Sequence, residues 1–155
     1  MFSLSYELTG AGWADATVSD GENQVWMIVS YLHDSLLDLA NAALAIKNGA
    51  NEAVAILLDE PGEHRLLFTA LDEHQVKLVI RWYEDFASWQ LCDEDDYKIV
   101  FEASTQRQHV VTAISGALRT ILEVHGEVGY KQKWIEHEFP IAEYRKLVED
   151  GMVVG

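Results

Sequence analysis

Asp93, Glu94, Asp95 and Asp96 stand side by side in the sequence, with Glu84 and Asp85 shortly before them and Asp59, Glu60 and Glu63 in an earlier segment. Carboxylates this dense can hold a hard cation, share a proton for acid–base work, or attract a basic surface. The first chemistry fails on spacing. A calcium loop alternates its ligands around a central glycine and closes on a glutamate, and the run at 93–96 has neither. The second needs one distinguished pair. Asp34 and Asp38 share a helical face and Glu60 and Glu63 can approach each other, but a chain with 26 acids offers such pairs by chance. Only electrostatic attraction needs no further motif.

The remaining chemistry-bearing residues form no constellation. Histidines at 33, 64, 74, 109, 125 and 137 make no His-Glu-x-x-His pair, and Trp134-Ile135-Glu136-His137-Glu138 contains a single His. Ser30, Ser35 and Ser115 lack the Gly-x-Ser-x-Gly elbow, and no glycine-rich phosphate loop follows a predicted strand. Cys92, the one cysteine, cannot close an intramolecular disulfide, and the acids that follow it disfavour its thiolate. The expectation is therefore no catalytic residue, no metal and no cofactor, in a reducing compartment.

Charge narrows the partners. Eleven Lys and Arg against 26 Asp and Glu give a net charge of −15 on 155 residues. Such a field repels phosphate backbones and anionic lipid, which argues against nucleic-acid and membrane binding, and it speeds encounter with a basic protein partner. Hydrophobic residues make up 49% of the chain, five of them Trp, so the acid decorates a folded globule, expected to be a single domain over 1–155. The first nine residues lack a signal-peptide pattern and no apolar run approaches the ~18 residues of a membrane span, which reads as cytoplasmic.

The elements that must position these groups follow from periodicity. Phe2, Leu4, Tyr6 and Leu8 alternate with polar residues, predicting a strand; 13–19 continues the sheet, and 24–31 is a further strand, with an earlier-starting helix as its rival. Asp34 is placed to cap a helix carrying Leu36, Leu37, Ala40, Ala43 and Leu44 that stops at Asn48-Gly49. Strands at 53–59 and 63–70 flank the turn Glu60-Pro61-Gly62, and strands at 74–83 and 97–103 follow. Ser104 is the expected cap of a long helix with Val110, Val111, Ile114, Ala117, Leu118, Ile121 and Leu122 in one stripe and Gly126 near its end. Trp134 and Ile135 are expected inside, and Pro140 opens a last short helix. The order predicts an α+β domain, an antiparallel sheet with helices packed on one face.

Alternation over the last four strands puts Val54, Ile56, Leu58, Leu66, Phe68, Val76, Leu78, Ile80, Trp82, Ile99 and Phe101 on the covered face. The opposite face then carries Leu57, Leu67, Thr69, Val79, Val100 and Glu102 with four cations, Arg65, Lys77, Arg81 and Lys98. These cations either pair with acids across strands or hold an anionic small molecule. In a meander the turn at 59–63 and the segment 84–96 share one end of the sheet. Asp59, Glu60, Glu63, Glu84, Asp85, Asp93, Glu94, Asp95 and Asp96 then form an acidic rim, with Phe86 and Trp89 as anchors for a basic partner. Loop solubility explains such a rim equally, and Trp89 can instead close the core.

Gly12-Trp13-Ala14, then Ser30-Tyr31-Leu32-His33-Asp34-Ser35-Leu36-Leu37-Asp38-Leu39, then Glu60-Pro61-Gly62-Glu63 resemble, in this order, a family of small, uncharacterised bacterial proteins over roughly residues 12–83. The resemblance implies a bacterial cytoplasmic origin and brings no activity or functional residue with it. In size, acidity and open-faced α+β character the chain is also similar to immunity proteins that neutralise bacterial toxins. The leading expectation is thus a non-enzymatic, immunity-type inhibitor of a basic toxin such as a nuclease. The alternative is a domain that senses an anionic small molecule on the open sheet face.

Overall fold

Three antiparallel strands open the computed structural model, which describes residues 2–135 and 137–149: β1 (Ser3–Gly10), β2 (Trp13–Ser19) and β3 (Gln24–Ser30), paired in that order. Asp20 closes the second turn by accepting the amides of Glu22 and Asn23 at 2.8 and 2.7 Å. Helix α1 (Ser35–Lys47) follows, its first turn capped by the Asp34 carboxylate on the Leu37 amide, and Gly49 ends it in the left-handed region at φ 87°. A second antiparallel sheet is a simple meander of β4 (Glu52–Leu58), β5 (Glu63–Ala70), β6 (Gln75–Tyr83) and β7 (Lys98–Gln106). Helices α2 (Arg107–Trp134) and α3 (Ile141–Val148) complete the chain.

The fold is α+β with antiparallel pairing, its strands divided between two sheets. Helix α1 packs on β4, α2 packs on β1, and the two helices touch, so one apolar interior joins both sheets. Its widest side chains sit between β1 and the end of α2, where Tyr6 meets Trp134 edge-on and Tyr130 meets Phe139.

Four details depart from the pattern in the sequence. Ser104 lies within β7, which runs on to Gln106; α2 begins at Arg107 without a side-chain cap. Tertiary bonds fix that start instead, since the Arg107 amide donates to His74 O and its guanidinium to the carbonyls of Ile46 and Ala50. Gly126 does not end α2 but breaks it, at φ 68° and ψ 176°, and the chain resumes helix up to a buried Trp134, leaving Ile135 exposed. In β4, Ala55 pairs with Leu66 and Leu57 with His64, so Ala55 and Leu57 face the core while Val54 and Ile56 face outward. Every residue from 53 to 58 is apolar, and alternation there carries no facial information. Finally, a bulge between Ile80 and Arg81 sets Ile99 opposite Arg81 and Lys98 opposite Trp82, which exchanges their faces.

Candidate functional site

The connection from β6 to β7 does not flare from the end of the sheet. It folds back across the sheet's outer face, and a buried carboxylate draws it there. Glu63, opposite Tyr83 in the ladder, is 0% exposed. Its Oε1 accepts both the amide and the hydroxyl of Ser88, at 2.9 and 2.7 Å, and its Oε2 accepts Nε and Nη2 of Arg65 at 3.2 and 2.9 Å. Four donors on one carboxylate leave no acceptor position idle, which burial requires.

Arg65 continues the network outward. It reaches Glu94 at 3.3 Å and lies 5.0 Å from the Tyr83 ring centre. The Tyr83 hydroxyl donates to the Glu94 carbonyl at 2.8 Å, and Arg81 covers Tyr97 at 4.1 Å. The connection is thus pinned at Ser88, Glu94 and Tyr97, with Phe86 and Ala87 buried beneath it.

What the pinned segment presents is apolar at the tip and acidic around it. A short 3₁₀ turn (Ala87–Trp89) ends at Gln90, whose left-handed φ of 63° redirects the chain. Trp89 packs edge-on against Phe86 at 4.8 Å yet remains 49% exposed, and Leu91 is 58% exposed. Glu84, Asp93, Glu94, Asp95 and Asp96 are exposed around them, and Asp85, half-buried, accepts the Phe86 amide. Ala87, Ser88, Gln90, Leu91, Cys92, Asp93 and Glu94 line a shallow hollow of about 580 Å³. The outer face also carries the cross-strand row Val54, Leu67 and Val79, which ends at Glu102 on β7, while the exposed Ile99 stands opposite Arg81. Trp26 is exposed too, but it is the one exposed large apolar side chain on β3.

The rim foreseen from the sequence is therefore reshaped. Glu63 belongs to the interior. Glu60 turns toward the other sheet and accepts the Ser30 hydroxyl at 2.7 Å, and Asp59, half-buried, holds the Glu60 amide. Phe86 is buried and acts as a floor for Trp89, which stands outside the core. The four cations do not gather: Arg65 and Arg81 are engaged as described, Lys77 pairs with Glu102 at 2.6 Å, and Lys98 has left the face. Ser88, Tyr83, Tyr97 and Leu91 were missed by sequence reasoning. Ser88 carries no signal, being 25 residues from Glu63, but tyrosines bracketing an acidic loop beside two strand arginines were a usable one.

Residues 12 and 31–38 meet at a different corner. The Tyr31 amide donates to Gly12 O, and a Cβ on Gly12 would fall 2.5 Å from the Tyr31 ring. His33 Nε2 lies 2.7 Å from Asp38 Oδ2, which also accepts the Ile56 amide of β4 at 3.1 Å. The hydrogen bond to Asp38 holds the His33 pKa above its ordinary value. His137 bonds Tyr31 O at 2.9 Å and lies 3.6 Å from Asp34, whose pKa is raised chiefly by burial. These groups are spent on tying the β3–α1 connection and α1 to β4 and to the segment after α2. Among the described residues no three His, Cys, Asp or Glu side chains are placed to hold a metal ion, and no helix is long and apolar enough to cross a membrane.

No protein-family model and no curated protein matches the chain. Among solved structures, one chain of the CdiA-CT/CdiI toxin and immunity complex from Enterobacter cloacae is similar at a TM-score of 0.48 and 7% identity, over 77% of this chain and 99% of that chain.

Proposed function

We propose that this protein is a non-enzymatic binding module, most concretely an immunity-type inhibitor that docks on a basic protein toxin through the turn at Trp89. One observation carries the reading: a half-exposed Trp89 is held on a turn fixed by the buried Glu63 carboxylate, with five exposed acids around it. A fixed aromatic anchor loses little conformational freedom on binding, and anchors of this kind supply most of the energy of an interface. The acids steer a basic partner and set orientation more than they add affinity. A small anion finds less to bind, because Arg65, Arg81 and Lys77 already have partners.

The test is parallel capture from a bacterial lysate at low and moderate salt, with three baits: the wild type, Trp89→Ala, and a variant carrying Asn or Gln at Asp93, Glu94, Asp95 and Asp96. The expected result is one basic protein held by the wild type, released by salt and lost from both variants. The same prey held equally by all three baits overturns the assignment of the surface.

A further inference from the structure

The two outer edges of the four-stranded sheet are finished differently. At β4 the edge is closed: α1 lies against it, and the Asp38 carboxylate takes the Ile56 amide. At β7 it is open. Among the described residues the main chain of 98–105 hydrogen-bonds only to β6, and Phe101 is the one fully buried residue of the strand. Lys98 and the bulge blunt the beginning of this edge, as natural edge strands are commonly blunted. Beyond them, residues 101–106 run on regularly, with no proline. This stretch spans ~20 Å at about 3.3 Å per residue, enough for one short added strand.

We infer that the free edge of β7 takes an extended, basic segment of the protein partner as a fifth antiparallel or parallel strand; the inference rests on the basic-partner reading above and extends its surface. Charge decides the occupant. The exposed acids at 93–96 lead into β7, and Glu102, though paired with Lys77, keeps a half-exposed carboxylate, so Lys or Arg on the added strand meets opposite charge. A second copy of this chain is disfavoured by its own charge of −15. Exposed Ile99, at 55%, and Val100 lie at the blunted start of the edge and offer apolar contact only to the end of the incoming segment. In such additions main-chain bonds supply affinity and alternate side chains supply selection.

The test uses ¹⁵N-labelled protein at low salt with two octapeptides of alternating Lys and Val at millimolar concentration, one unmodified and one N-methylated at its four central residues. Methylation removes main-chain donors on both edges and keeps every charge. The expected result is that the unmodified peptide slows hydrogen exchange at alternate amides of 101–106 by roughly tenfold or more, and that the methylated peptide binds at least about tenfold more weakly. If both peptides bind alike and perturb only 84–97, strand addition is overturned while the acidic loop remains a site for basic partners. If neither peptide perturbs the protein, both the added strand and the basic-partner reading fail.

Discussion

Removing the Glu63 carboxylate tests whether the acidic loop is held or merely present. Glu63→Ala strands two sets of donors: the Arg65 guanidinium, whose side chain is only 12% exposed, and the amide and hydroxyl of Ser88. Breaking a buried, hydrogen-bonded ion pair from one side costs about 3–5 kcal/mol, because the remaining charge stays poorly solvated. Glu94 offsets part of this through its contact with Arg65 at 3.3 Å, but that carboxylate is 70% exposed and screened by water. The loss then sits near the lower limit, about 3 kcal/mol, which for a chain of this size lowers Tm by roughly 6–12 °C. Glu63→Gln gives little rescue: its oxygen can still serve Ser88, but its amide nitrogen then opposes Arg65, donor to donor. Pairing Glu63→Ala with Arg65→Met should recover a large part of the loss, since the double variant leaves no unpaired buried charge. Thermal unfolding of the four proteins gives the cycle, and 5-fluorotryptophan labelling reports whether the Trp89 resonance, assigned with Trp89→Phe, shifts when Ser88 is released. A Glu63→Ala protein within about 1 kcal/mol of wild type, or one destabilised with the Trp89 resonance unmoved, refutes the clamp.

Gly62→Ala is expected to cost about 1–3 kcal/mol in thermal denaturation, because its Cβ would lie 1.8 Å from Trp82 Cη2; an unchanged Tm contradicts that packing. Burial depresses the His64 pKa from 6.5 to about 4, so its neutral form stabilises the fold above pH 6.5 and that contribution, about 3 kcal/mol in all, is lost as pH falls toward 4. His64→Phe should therefore flatten the acid side of the Tm profile relative to wild type, and parallel profiles would remove His64 from that role. His33 carries the opposite sign: its pKa is raised by Asp38, so its contribution is complete below pH 6.5 and disappears as pH rises through the folded value, which an NMR titration of His33 in wild type and Asp38→Asn checks.

Local chemistry made much of the fold legible. The Asp34 cap, the Asn48-Gly49 stop and the turn at Glu60-Pro61-Gly62 lie where turn and cap preferences put them, because each acts within a few residues of chain. Facing was legible only where polar residues punctuate the strand. Arg65, Lys77 and Arg81 report the outer face of β5 and β6 correctly, whereas β4 is apolar from Ala53 onward and its register is set by β5. The start of α2 was hidden for a related reason. Ser104 is a good cap by type, but the ladder to β6 extends to Gln106, and Arg107 is fixed by four carbonyls far away in sequence.

The candidate site was legible in composition and illegible in placement, and Glu63 explains why. By type and position it is one more acid in a rim of acids, indistinguishable from Glu60 three residues earlier. Strand parity sends its side chain to the outer face, which on an open sheet means solvent; only the return of residues 84–97 over that face buries it. That return depends in turn on Glu63, because among the described residues Ser88 has no other partner for its hydroxyl and Arg65 would keep only the exposed Glu94 and the Tyr83 ring. The two halves are mutually conditional, so neither carries a local signal. The same coupling gives the surface its character: an acidic loop that repels itself is held down by an interior carboxylate together with Arg65, Tyr83 and Arg81, and the apolar tip at Trp89 and Leu91 is lifted clear of the core as a consequence.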